Sequence, residues 1–136
     1  MTKTKKKTAW GMLVVAIVIL ASATYVYFDF FQSEVTAKRL IEKSGIKGGL
    51  IAHVGFENGK LTSALHLNER FIVHGITQEK RRVKDTRAYL RKQELNGKVT
   101  VQQWRNESLP YSDNLISILV IEHPDQVSKD EIMRVL

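Results

Sequence analysis

Gly48-Gly49-Leu50-Ile51-Ala52-His53-Val54-Gly55-Phe56-Glu57-Asn58-Gly59 decides the fold. The Gly-Gly pair is turn chemistry. The run Leu50–Val54 is apolar without polar alternation, as in a parallel strand buried on both faces. It breaks into Gly55-Phe56-Glu57-Asn58-Gly59, after which Leu61, Ala64 and Leu65 recur at helical spacing across Lys60–Leu67. Strand, glycine-bounded turn and helix in that order make the first unit of an α/β fold.

The same alternation continues downstream. Arg70–Ile76 reads as a second strand, and Thr77 can cap a long helix from Gln78 to about Leu95, ended by Asn96-Gly97. Val99–Trp104 is a third strand and Leu109–Asn114 a loop. The seven-residue apolar run Leu115–Ile121 is the fourth strand. Ser128 and Glu131 have capping-box spacing and open a final helix carrying Ile132, Met133, Val135 and Leu136. Upstream, Ser33 can cap a helix over Glu34–Lys43 with Val35, Leu40 and Ile41 on one side and Gly45 as its stop. The expected fold class is α/β, with four parallel strands and helices between them. Such sheets bind ligands at the carboxyl ends of their strands, which directs attention to residues 55–59.

The first thirty residues are of another kind. Lys3, Lys5, Lys6 and Lys7 form a basic cluster, and Thr8–Phe28 then runs 21 residues without a charge. That is enough to span a bilayer core. Ala21-Ser22-Ala23 also fits a signal-peptidase site after the apolar run Trp10–Leu20. Apolar and aromatic residues continue past that site, from Tyr25 to Phe31, and suit a membrane interface. Two outcomes follow: a single-pass anchor with residues 32–136 exported, or secretion after cleavage at Ala23. The chain therefore divides into an anchor or signal, residues 1–31, and a body of about 105 residues, 32–136.

Composition excludes several classes. Among 136 residues, 43% are hydrophobic and none is Cys, so disorder, a disulfide framework, a thiolate zinc site and a Cys nucleophile are set aside. The net charge of +7 falls to +3 once the four lysines of the N-terminal cluster are removed, which gives little reason to expect nucleic acid as a partner. His53 and His74 lie in strands, where packing is the ordinary role of histidine. His66 and His123 are isolated, and no two histidines stand at i, i+4, so no metal site is expected.

The order of pieces resembles the class I S-adenosylmethionine-dependent methyltransferase fold, a Rossmann-like sheet. More narrowly, Gly45–Gly55 resembles the opening of a methyltransferase-like module of exported bacterial proteins that in some relatives precedes a β-propeller. His74-Gly75-Ile76, Leu109-Pro110-Tyr111 with Asp113-Asn114, and Glu131–Leu136 carry the resemblance further, over roughly Val35–Leu136. It implies S-adenosylmethionine as cofactor, held by Gly55, Phe56, Glu57, Asn58 and Gly59 in place of Gly-x-Gly-x-Gly. Thr77 stands where the family has a ribose-binding acid, with Glu79 two residues on, and Asn106 stands near the adenine position. Glu57 adds bulk and charge where the family presents bare backbone. The family sheet has seven strands and this sequence accounts for four, so the resemblance implies a truncated member with Leu115–Ile121 as an open edge suited to self-association. Glu122 ends that strand, where several methyltransferases face their acceptor. The alternative is a non-catalytic anchored interaction module. It would use the open edge or the basic helix 78–95, which carries Lys80, Arg81, Arg82, Lys84, Arg87, Arg91 and Lys92.

Overall fold

A computed structural model describes residues 2–136, with side chains for Met12 and residues 14–136. The side chains of the Lys3–Lys7 cluster and of Trp10 lie outside the described residues. The chain forms two units, residues 1–32 and 33–136.

A single helix, α1, runs Thr2–Ser44. The separate helix expected over Glu34–Lys43 is its last part, so Ser33 lies inside α1 and not at a helix start. Residues 12–44 contain neither Gly nor Pro, and a helix once nucleated propagates until something stops it. Gly45 is that stop, at φ +69°, a left-handed conformation that costs glycine no Cβ clash. In the first unit Val14, Ile17, Leu20, Val26 and Phe28 are exposed. Val14–Ser44 is long and apolar enough to cross a membrane, by length and composition. Within it the hydroxyls of Ser22 and Thr24 donate back to the carbonyls of Ile19 and Leu20, so neither needs water.

The second unit is a four-stranded parallel sheet of order β3-β2-β1-β4, built from β1 (Gly49–Val54), β2 (Phe71–Thr77), β3 (Val99–Gln103) and β4 (Ile118–Ile121). Between them run α2 (Gly59–Ala64) and α3 (Lys80–Lys92), and α4 (Lys129–Val135) follows. The α/β class and the four parallel strands are as expected. The chain steps outward from β1 to β2 to β3 and then returns to the opposite side of β1, which makes the carboxyl ends of β1 and β4 the switch point of the sheet.

Boundaries shift where a neighbour competes for the backbone. Thr77 is the last residue of β2, opposite Gln103, and α3 begins only at Lys80. The fourth strand is four residues rather than seven: the Ile116 N–H donates to Val135 O, and Ser117 joins Leu50 before the ladder proper starts. Ser128 Oγ accepts from the Glu131 N–H, but the Glu131 carboxylate turns to Arg134 and to the Leu109 N–H, so only half of the capping box forms.

Strand alternation divides the core. Ile51, Phe71, Val73, Val99, Val101 and Ile118 face Ala37, Ile41, Leu65, Val83 and Leu90 from the helices. Ala52, Val54 and Ile76 face Trp104, Leu109, Tyr111, Ile116, Val127 and Val135 on the other side. Here Trp104 and Tyr111 are packing residues. Trp104 Nε1 donates to Ser108 O at 2.9 Å, and the Tyr111 hydroxyl lies 3.0 Å from His74 Nδ1.

Candidate functional site

The site is assembled at the carboxyl ends of the strands. Gly55 leaves β1 at φ +79° while its N–H donates to Ile76 O, so the chain turns sharply without losing its bond to β2. A Cβ on Gly55 would stand 3.3 Å from both Gln126 Oε1 and His123 Cδ2. The close-approach face of this glycine is thus covered by the 3-10 turn Pro124–Gln126 and the residue before it. Glu57 is exposed, with Oε1 3.7 Å from His123 Nε2 across the same turn.

The other nominated residues take different jobs. Phe56 is fully buried and packs beside His53. Asn58 caps α2, its Oδ1 accepting from the Lys60 N–H at 3.0 Å. Gly59 is a packing glycine: a Cβ there would come within 2.7 Å of Thr86 Cγ2 on α3. Thr77 is buried, and its carbonyl accepts from the Trp104 N–H.

Two clefts flank this turn. The first, about 470 Å³, joins Glu57, Asn58 and Gly59 to Glu79, Arg82 and Tyr89. The second, about 660 Å³, joins Gln78, Trp104 and Asn106 to Asp125, Gln126 and Ser128. Both have the size of small-molecule sites. Glu57 and Glu79 therefore share one cleft, while Asn106 opens on the other.

Sequence reasoning missed a buried polar chain beneath the turn. His53 on β1 has no exposed surface; its Nδ1 is 3.0 Å from Thr62 Oγ1 on α2. Its Nε2 is 3.0 Å from Glu122 Oε1, within ion-pair reach but off the line of a hydrogen bond. The Thr62 hydroxyl can either donate to or accept from Nδ1, so the contact is kept in either tautomer. Glu122 is tied to the switch point by its N–H, which donates to Val54 O at 3.0 Å. One signal in the sequence pointed here: His53 shares strand parity with Ile51, which faces inward.

A second polar cluster holds the 109–113 loop. Arg134 donates to the carbonyls of Leu109 and Tyr111 and to the carboxylates of Glu131 and Asp113, at 2.7–3.1 Å. The Arg134 guanidinium and the Leu109 N–H hold the Glu131 carboxyl down to about 2. Burial pushes the Tyr111 hydroxyl up and His74 down, so both stay neutral near pH 7.

Comparisons with known proteins place the fold. No family model and no curated protein matches the chain. Among solved structures, a protein of Methanococcus maripaludis assigned as an S-adenosylmethionine-dependent methyltransferase superposes with TM-score 0.66 and 22% identity, covering 76% of this chain and 50% of that one. A SAM-dependent methyltransferase from Aquifex aeolicus gives TM-score 0.61 and 19% identity, over 73% and 57%. The 4+2 cyclase SpnF gives TM-score 0.63 and 23% identity, over 76% and 41%. The chain has the class I methyltransferase-like fold and spans about half the length of these structures.

Proposed function

We propose that this protein is a membrane-anchored, methyltransferase-like protein whose body binds S-adenosylmethionine at the carboxyl ends of β1, β2 and β3. The observation that carries the reading is the glycine turn at the switch point of the sheet, with a small-molecule-sized cleft on each side. The residues fit the cofactor in part. The cleft at Gln78 and Asn106 offers amide groups to a nucleoside, and Glu79 supplies a carboxylate in the neighbouring cleft. The face of Gly55 is the tight part, because His123 and Gln126 cover it. When bound, the cofactor supplies an electrophilic methyl group; the chain's own contribution is to hold and orient it. Glu122, the residue after β4, lies 3.0 Å from His53 Nε2 and donates its N–H to the Val54 carbonyl, which holds its backbone beside the end of β1.

The anchored part of the reading is supported by the apolar stretch of α1 from Val14 to Phe28, with its exposed Val, Ile and Leu side chains and the back-bonded hydroxyls of Ser22 and Thr24. Calorimetric titration of the full chain in detergent with S-adenosylmethionine tests the cofactor. Saturable binding supports the reading, and Glu57→Gly is expected to tighten it severalfold by removing a carboxylate from the turn. Absence of heat with both proteins contradicts it and favours a second reading, a non-catalytic interaction module. The covered Gly55 face is the observation on that side.

A further inference from the structure

Helix α3 is amphipathic in an unusual proportion. Val83, Thr86 and Leu90 are buried, while Lys80, Lys84, Arg87 and Arg91 recur at i, i+4, i+7 and i+11 on the outward side, with Lys92 beside them. Arg81 is paired with Asp85 and Arg82 with Glu79. Among the described residues, Lys80, Lys84, Arg91 and Lys92 have no ion-pair partner. Arg87 spends its Nε and one Nη on Val101 O, at 3.2 and 2.8 Å, which fixes its guanidinium beside the outer strand β3. Between α3 and that strand lies a cleft of about 410 Å³, with Arg87, Arg91, Asn96 and Thr100 as polar walls and Leu90 and Val99 as apolar floor.

We propose that this cleft and the cationic stripe above it are a docking surface for the phosphate groups of anionic phospholipids in the membrane that the N-terminal helix enters. The proposal rests on the anchored reading. Two guanidiniums a helical turn apart, with an amide and a hydroxyl, match a phosphate diester. Lys80 and Lys84, unpaired on the same face, and Lys92 at the end of the helix add attraction to an anionic surface. A covalently attached apolar helix supplies that surface at high local concentration. Single-stranded nucleic acid fits less well. The one aromatic residue of α3, Tyr89, has its ring against Gly59 and its hydroxyl buried, so no base could stack there.

The test uses the full chain reconstituted in vesicles of phosphatidylcholine alone or with about 30% phosphatidylglycerol. Lysine acylation rates are read residue by residue by mass spectrometry. Lys80, Lys84 and Lys92 are expected to react about fivefold more slowly in the anionic vesicles, an effect lost at about 0.5 M salt, while Lys129 on α4 is unchanged. Arg91→Gln, at an exposed position, is expected to reduce the protection to about twofold. Equal rates in both vesicles, or equal slowing at Lys129, overturn the proposal. So does the same protection in neutral vesicles from inorganic phosphate, which would mean a small-anion site, or from polyuridylate, which would mean nucleic acid. A chain that floats with neither vesicle contradicts the anchor and the docking surface together. One that floats with both but shows equal rates contradicts the docking surface alone.

Discussion

Strands β3 and β4 are the two edges of one sheet, and they meet that position differently. On β3 the outward carbonyl of Val101 is closed by the Arg87 guanidinium, Gln103 donates from its side chain to Gln78 O, and Thr100 and Gln102 are polar and exposed. On β4 the sequence is Ile118-Leu119-Val120-Ile121, without a charge or hydroxyl; Ile118 is buried and the other three are half-buried. An edge closed by its own side chains resists further pairing; a bare apolar edge invites it. The difference teaches that β3 is a finished border, whereas β4 is composed like an interior strand.

Matched substitutions sharpen that contrast. Val101→Ala is expected to cost about 2 kcal/mol in denaturant unfolding, since Val101 is buried under α3. Val120→Ala, half-buried at the other edge, is expected to cost about 1 kcal/mol or less. Equal losses would mean that β4 is as well covered as β3. Arg87→Met removes the guanidinium from the Val101 carbonyl and is expected to cost about 1.5 kcal/mol. It should also raise self-association through β3, seen by sedimentation. Val120→Lys acts in the opposite sense: it should lower association through β4 with little change in stability, and unchanged association would break the comparison.

The smallest expected effect is a pH dependence. Glu131 is held near 2 in the folded protein by Arg134 and the Leu109 N–H, below its ordinary value of about 4.3 in an unfolded chain. The stabilisation is therefore complete above about pH 4.3 and is lost as pH falls toward 2. His74, lowered by burial, adds a loss that begins below about pH 6.5, where the unfolded chain takes up the proton first. Glu131→Gln should flatten the acid limb of the stability profile without moving the limb near pH 6.

Much of the fold was legible because β1 and β2 are largely apolar runs bounded by glycine or polar turns, and β1, buried on both faces over Ile51–Val54, cannot hide that signature. The limits of β4 were not, because Leu115 and Ile116 are as apolar as the strand and Ser117 carries no charge; the bonds of Ile116 N–H to Val135 O and of Ser117 N–H to Leu50 O show where the lead-in ends. The start of α3 was misplaced for a related reason: Thr77 can cap a helix or end a strand, and pairing with Gln103 decided it. At the site, the glycine turn was visible in sequence. The side chains over it were not, since His123 and Gln126 reach Gly55 from some seventy residues away. The Thr62–His53–Glu122 chain is likewise assembled from three elements that no local spacing connects.

Amide hydrogen exchange of the full chain, with and without S-adenosylmethionine, tests the central claim most directly because it reports where a ligand sits. The account predicts added protection in residues 55–59, 77–79 and 104–108, around the two clefts, and none along β4 or the Gly45–Gly49 end of the sheet. Protection absent everywhere, or confined to segments away from the carboxyl ends of β1, β2 and β3, would contradict it.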